Sequence, residues 1–333
     1  MEMGGYFELD LPILEDIHPE AIGYQSARAA IRAVLECSKA EKIFIPAYIC
    51  ESIIQVCRDS GLKLVTYELN EVLYPKVDFE DKLNNALVLY VNYFGICQYN
   101  IKKLLRKIPK DKLIIDNSHA LFAPHLGELA TIYSPRKFVG LPDGGLLKAS
   151  QSLKISPPEV EDIGSLNRMN YLFTRLAYSA KEGYEGFNNA RLSLENSRPL
   201  KMSRLTTRLM QSISWSKTAE RRKKNYALMA KELDSINSFP QLKSDNEVPL
   251  CYPLMLSGYD VTNIKLALSQ ANIFTPTYWL DAVIRIKANS IEYKLIKNTL
   301  FLPIDQRLDA ADIKLICKQV TRLITNLPLD NEE

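Results

Sequence analysis

Three segments of the chain are apolar over nearly their whole length. They are KIFIPA at 42–47, ALVLYVNYFG at 86–95 and KLIIDNSHA at 112–120. A strand that is apolar on both faces has to be buried on both faces, which is typical of parallel sheets covered by helices. Segments with helical periodicity lie between them, including one that opens at Ser26 and reaches Cys37. This alternation predicts an α/β fold, with a mainly parallel sheet between two layers of helices.

The second half of the chain has a different pattern. Residues 151–222 are helical in character and rich in Arg and Lys, whereas strand and helix segments alternate again after about residue 240. The predicted elements there are strands at 248–256 and 298–304 and helices at 261–271 and 309–325. We expect a large domain at 1–225, which begins with an irregular arm, and a smaller C-terminal α+β domain at 226–333.

Charge and hydropathy restrict the ligands and the location. A net charge of +3 over 333 residues is too small to indicate nucleic acid as the main ligand. The N-terminal segment MEMGGYFELDLP is acidic and has no apolar core, so we expect no signal peptide. No uninterrupted apolar stretch approaches the roughly 18 residues of a membrane-spanning helix, so no membrane insertion is expected.

The cysteines and histidines predict no metal site. The six cysteines stand singly, none of them in a Cys-x-x-Cys pair, and the chain has three histidines. Cysteines placed singly in apolar patterns are typical of reduced, buried thiols. This pattern predicts a cytoplasmic protein.

Polar side chains follow the ends of two neighbouring predicted strands. Asp116 and His119 follow the apolar run 112–115, and Ser134 and Lys137 follow the run 130–133. Ligands of such sheets bind at the carboxyl ends of the strands, so we expect these side chains to form a site. The alternatives are a capping carboxylate, a structural histidine, a turn serine and a solvated surface lysine.

The chemistry of these side chains fits one cofactor. A desolvated Lys137 has a lowered pKa and can form an imine with an aldehyde. Asp116 can pair with a protonated ring nitrogen. The helix start at Ser26 offers backbone N–H groups to a phosphate, to which Ser134 can add a hydroxyl. An aldehyde, a pyridine nitrogen and a phosphate are the three handles of pyridoxal 5′-phosphate (PLP).

Eight motifs, in order along nearly the whole chain, resemble those of the DegT/StrS sugar aminotransferases, which are fold-type I PLP enzymes. The motifs are SARAAIRAVL (26–35), IFIPAYIC (43–50), VNYFG (91–95), IIDNSHA (114–120), KFVGLPDGG (137–145), KMSRL (201–205), RRKKNYALMAKEL (221–233) and LPIDQRLDAADI (302–313). The resemblance implies the fold of a fold-type I, aspartate aminotransferase-like PLP transferase. It also implies a homodimer whose active sites form between two subunits.

The resemblance assigns a role to each candidate residue. Lys137 is the Schiff-base lysine and the general acid/base, Asp116 holds the pyridine nitrogen and His119 lies near the ring hydroxyl. The segment Ser26–Ala27–Arg28 takes the phosphate together with Ser134. The implied reaction moves an amino group from glutamate to a nucleotide-linked keto sugar, in polysaccharide or amino-sugar biosynthesis.

Three departures from the family pattern concern the cofactor and the substrate. Ala27 and Arg28 replace a Gly-Thr pair in the phosphate turn, and Asp143 replaces a glutamate. Cys50 stands where the family has an aromatic side chain that stacks on the cofactor ring. The tyrosines Tyr48 and Tyr93 are alternatives for that stacking. Cys50 is still predicted to contact the cofactor. Residues 151–200 match the family least.

Two further aromatic residues and two rival functions complete the predictions. Tyr93 and Tyr278 are candidate substrate contacts. Tyr278 and its neighbour Trp279 could line the sugar site, and the alternative for this pair is packing of the small domain. One rival is elimination or epimerisation with the same cofactor. Related sugar dehydratases carry histidine at the lysine position, so Lys137 favours transamination. The other rival is a non-catalytic binding module, which the departures at Ala27, Arg28 and Cys50 motivate.

Overall fold

The central feature of the fold is a sheet with the strand order β1-β7-β6-β5-β4-β2-β3. The structure, a computed structural model, describes residues 3–195, 198–243 and 246–325. The strands are β1 (Ile22–Tyr24), β2 (Lys42–Pro46), β3 (Lys63–Tyr67), β4 (Ala86–Val91), β5 (Leu113–Asn117), β6 (Ala130–Tyr133) and β7 (Gly145–Ala149). Strands β2 to β6 pair in parallel, and β7 pairs antiparallel with both β6 and β1.

The mainly parallel sheet predicted from the apolar runs is therefore confirmed. Every residue of β4 and β5 is buried, as expected of strands covered on both faces. The end of β4 differs from the apolar run, because β4 ends at Val91 rather than running to residue 95. The chain turns there through left-handed conformations at Phe94 (φ 55°) and Gly95 (φ 74°), which no strand can contain.

Helices cover the sheet and form much of the second half of the chain. They are α1 (Ala27–Cys37), α2 (Glu51–Asp59), α3 (Gln98–Leu104), α4 (Ser165–Arg168), α5 (Asn170–Ala177), α6 (Tyr184–Leu192), α7 (Arg204–Met210), α8 (Trp215–Leu233), α9 (Thr262–Gln270), α10 (Ile291–Lys297) and α11 (Ala310–Thr325). The predicted N-cap of the first helix is present, since Ser26 Oγ accepts the N–H of Ala29 at 3.2 Å.

A second, smaller sheet forms the C-terminal part. Strands β8 (Cys251–Met255) and β9 (Thr299–Pro303) pair antiparallel and pack with α8, α9 and α11 around their own apolar core. Helix α8 runs unbroken across residue 225, and its residues from Tyr226 onward contact this second core. The division into domains at 1–225 and 226–333 stays a prediction.

The strand β7 passes unusually close to the start of α1. At Gly145, an added Cβ would lie 2.2 Å from the carbonyl carbon of Ser26 and 2.3 Å from the nitrogen of Ala27. Both are backbone atoms that cannot rotate away. Gly145 is therefore required for β7 to lie against the first peptide of the helix.

We expect Gly145→Ala to destabilise the fold by about 3 kcal/mol or more, because the strand and the helix must separate to admit a methyl group. Gly140→Ala is the matched control. Its Cβ would lie 3.0 Å from a terminal methyl group of Leu172, which can rotate away. Urea unfolding of both variants measures the difference. Equal, small effects would contradict the close approach.

Candidate active site

A cavity of about 620 Å³ opens at the carboxyl ends of β5 and β6. The starts of α1 and α2 form one side of it, and residues of α6 form another. The segment around Trp279 also lines it. The cavity thus occupies the place where ligands bind in parallel α/β sheets.

Eight of the ten candidate residues named from the sequence line this cavity. They are Ser26, Ala27, Arg28, Cys50, Asp116, His119, Ser134 and Lys137. The structure brings them together from four separate stretches of the chain. Their individual roles stay predictions.

The two tyrosines predicted as substrate contacts do not line the cavity. Tyr93 is fully buried beneath it and donates a hydrogen bond from its hydroxyl to the carbonyl of Tyr48 at 3.0 Å. The 3₁₀ turn after β4 directs this ring into the core. The ring of Tyr278 lies near the lysine, with its centroid 5.7 Å from Lys137 Nζ.

Lys137 projects into the cavity from the short 3₁₀ helix Pro135–Lys137 that follows β6. Its side chain is exposed to the cavity, yet the cavity lies deep enough for the surrounding protein to desolvate the amine. This desolvation lowers the pKa of Lys137. The charge of Asp116 opposes the shift, whereas the charges of Arg136 and Arg28 add to it. A lowered pKa makes the neutral, nucleophilic amine available.

Asp116 is mostly buried at the end of β5. Burial raises its pKa, and the N–H of Ser118, which donates to Oδ1 at 2.8 Å, opposes that shift. The charge of Lys137 also opposes it. A cationic group placed against this carboxylate would gain a charge-assisted hydrogen bond in a site with little water.

His119 is 1% exposed, and burial lowers its pKa well below the usual range, so its ring is neutral. Its Nδ1 atom has no hydrogen-bond partner among the described residues. Buried polar atoms are normally satisfied, so this nitrogen is available to a partner that is not part of the chain.

The start of α1 can hold an anion. Ser26 caps the helix, and the N–H groups of Ala27 and Arg28 have no intrahelical partner, as at every helix start. The guanidinium of Arg28 lies 3.8 Å from the carboxylate of Glu195, which is a long distance for an ion pair. The residues present therefore fit a phosphate group at this end.

A buried arginine supports the segment that carries the lysine. Arg222 of α8 donates to the carbonyls of Leu250 at 3.0 Å and Phe138 at 3.4 Å, and to Gln306 at 3.1 Å. Its guanidinium also lies 4.7 Å from the ring centroid of Phe138. Burial lowers the pKa of Arg222 to about 10, which leaves it charged at neutral pH. Arg222 therefore joins the C-terminal part to the peptide next to Lys137.

Several cavity residues were not predicted from the sequence. Arg136 is adjacent to Lys137 in the chain, and this adjacency could have identified it. Tyr171, Phe187 and Arg191 come from the helical region that matches the family least, and no local motif marks them. The sequence named Trp279 together with Tyr278 as a possible lining of the sugar site, and Trp279 is the member of that pair that lines the cavity.

No protein-family model matches the chain, and no curated protein matches its sequence. Solved structures do match its fold. The sugar aminotransferase CalS13 from Micromonospora echinospora is 13% identical with a TM-score of 0.64, and the match covers 91% of this chain and 87% of that one. Spr1654 from Streptococcus pneumoniae, in its PLP form, is 15% identical with a TM-score of 0.64, covering 92% and 87%.

DesI, solved in the presence of its TDP-sugar product, is 14% identical with a TM-score of 0.65, covering 92% of this chain and 81% of that one. At these identities the likeness shows the fold. The chain has the fold of PLP-dependent sugar aminotransferases, which confirms the fold class predicted from the sequence.

Within the described residues, no helix is both long enough and apolar enough to cross a membrane. The same part of the chain contains no group of three or more His, Cys, Asp and Glu side chains suited to a metal ion.

In protein without cofactor, we expect Lys137 to react with acetic anhydride at lower pH than the exposed lysines, because its pKa is lowered. Arg136→Gln should move this reactivity to higher pH, since the charge of Arg136 lowers the pKa of Lys137. Asp116→Asn is the control and should move it to lower pH. Mass spectrometry of peptides labelled across a pH series measures the midpoints. A Lys137 that titrates with the exposed lysines would contradict the desolvation.

Proposed function

We propose that this protein is a PLP-dependent aminotransferase acting on a sugar. The observation that carries the proposal is the placement of Lys137, Asp116 and the start of α1 around one cavity. These groups match the aldehyde, the ring nitrogen and the phosphate of PLP. The fold, shared with sugar aminotransferases that include the PLP and PMP forms of Spr1654, supports the same assignment.

The residues present fit this cofactor. Lys137 would hold the aldehyde carbon, and Asp116 would hold the ring nitrogen in its protonated form. The unpartnered Nδ1 of His119 would face the ring hydroxyl. The N–H groups of Ala27 and Arg28 would hold the phosphate, with the hydroxyl of Ser134 beside it.

PLP supplies an electron-accepting ring that stabilises negative charge on the carbon next to the reacting nitrogen. The chain supplies the proton chemistry. Because its pKa is lowered, Lys137 can take a proton from the substrate carbon and return one as general acid. The carboxylate of Asp116 would hold a proton on the ring nitrogen.

For the substrate we propose a nucleotide-linked keto sugar, with glutamate as the amino donor. Two observations support the nucleotide-linked sugar: the structural neighbour DesI was solved in the presence of its TDP-sugar product, and arginines line this cavity. The arginines along it are Arg28, Arg32, Arg136 and Arg191. One guanidinium group can donate two parallel hydrogen bonds to a phosphate. The amino sugar formed would serve polysaccharide or amino-sugar biosynthesis.

We propose a homodimer, which the exposed apolar side chains near α4–α6 support. Ile163, Leu166, Leu176 and Tyr178 are 89%, 69%, 83% and 75% exposed, an unusual density for a monomer surface. A second copy of this chain would cover them.

We also propose that the protein is cytoplasmic, because the cysteines of the structure are all unpaired thiols.

The proposal predicts a covalent PLP adduct. Protein incubated with PLP and reduced with borohydride should carry a phosphopyridoxyl group on Lys137, detected by peptide mass spectrometry. Lys137→Ala should lose it. The control is Lys63→Ala, which removes an exposed lysine at the start of β3 and should keep it. Labelling unchanged by Lys137→Ala would refute the assignment, and no adduct at all would favour a binding module.

Glutamate should then convert the bound cofactor from its PLP to its PMP absorbance. Asp116→Asn should slow this conversion roughly a hundredfold or more, because the ring nitrogen loses its anionic partner. Cofactor that binds but does not respond to glutamate or any other amino donor would favour elimination or epimerisation.

The dimer is tested by sedimentation velocity. Leu166→Lys combined with Leu176→Lys should give a monomer, because two charges would be buried in the contact. Leu315→Lys on α11, a leucine that is 53% exposed on another face, is the control and should leave the dimer intact. A wild-type protein that sediments as a monomer at micromolar concentration would contradict the homodimer.

A further inference from the structure

Trp279 is an aromatic side chain of the cavity that the assignments above leave without a role. It lies at the start of the 3₁₀ helix Leu280–Ile284 and lines the cavity with the accessible part of its indole. It comes from the C-terminal part of the chain, whereas the cofactor-facing candidates all come from the first 137 residues.

The backbone of Trp279 is strained. Its dihedral angles, φ 52° and ψ 50°, lie in the left-handed region, which bulky side chains rarely occupy. Such strain persists only where surrounding contacts hold it, and it concentrates at ligand sites. Here the N–H of Ala282 donates to the carbonyl of Trp279 at 2.8 Å, and the hydroxyl of Tyr48 donates to that of Tyr278 at 3.3 Å.

The indole is also fixed by ring contacts. It lies parallel to the imidazole of His119, with 5.2 Å between centroids and 4° between planes. The rings of Tyr48 and Tyr93 lie at 72° to the indole plane, with their centroids 4.7 and 5.8 Å from its centroid. Tyr93 therefore contacts Trp279 beneath the cavity wall and does not reach the cavity surface.

An ion-pair cluster attaches the Trp279 turn to the residues on both sides of Cys50. Arg285 donates to the carbonyl of Ile49 at 2.7 Å and pairs with Glu51 at 2.5 Å and Asp281 at 3.2 Å. The N–H of Glu51 donates in turn to Asp281 at 3.1 Å. Trp279 is thus held beside Cys50, whose small side chain supplies no aromatic ring to the cavity wall.

We propose that Trp279 is the aromatic wall against which the planar ring of the bound ligand packs, in the place of the aromatic side chain that Cys50 lacks. This inference depends on the proposed function, which identifies that ring as the pyridine of PLP. Packing against an indole contributes to ring binding and leaves the phosphate contacts at α1 unchanged.

The test measures PLP affinity in protein stripped of cofactor, by equilibrium dialysis, and the dissociation constant of inorganic phosphate, by calorimetric titration of the same protein without PLP. Trp279→Leu keeps an apolar side chain but removes the aromatic ring. We expect it to raise the dissociation constant of PLP about tenfold. The affinity for inorganic phosphate should not change. Trp279→Phe should restore most of the PLP affinity.

Trp215→Phe is the matched control. Trp215 is the first residue of α8 and is buried in an apolar cluster outside the cavity lining, so its replacement should leave PLP affinity unchanged. Wild-type protein that takes up no PLP would overturn the proposed function. PLP binding that is equal in wild type and Trp279→Leu would overturn only this inference. An equal loss of PLP and phosphate affinity would overturn it too, because the tryptophan would then act through the fold.

Discussion

The close approach of β7 to the first peptide of α1 determines where the cavity lies. Gly145 allows this approach, and the N–H of Gly144 donates to the carbonyl of Gln25 at 2.8 Å just before the helix starts. The other edge of β7 pairs with β6, which leads directly to Lys137. A single strand therefore sets the distance between the anion-binding helix start and the lysine.

The C-terminal part completes this arrangement from the opposite side. Arg222 fixes the peptide that follows Lys137, and Arg285 fixes the residues around Cys50. Both arginines act on backbone carbonyls, whose positions a change of neighbouring side chain does not alter. The two parts of the chain therefore share the cavity wall, and the chemistry depends on both.

The sequence predicted those parts of the fold and the site that depend on local patterns. Apolar runs marked β4, β5 and β6, and the polar residues Asp116 and Lys137 at the ends of β5 and β6 line the cavity. Serine before an alanine-rich helix marked the helix start at Ser26. These features were readable because each depends on a few neighbouring residues.

The rest depends on contacts between distant positions. Trp279 lies at the cavity in a turn that Arg285 attaches to the β2–α2 turn, more than 230 positions away along the chain. Tyr93 lies near the site in sequence, but the left-handed turn at Phe94 directs its ring into the core. Neither outcome has a local signal, because backbone direction after a strand end is set by tertiary packing.

A crystal structure of the protein reduced with borohydride in the presence of PLP tests the central claim most directly. The account predicts continuous density from Lys137 Nζ to the pyridine ring, with the ring nitrogen within hydrogen-bond distance of Asp116. It also predicts the phosphate at the N–H groups of Ala27 and Arg28. A cofactor attached to another lysine, or a ring nitrogen directed away from Asp116, would contradict it.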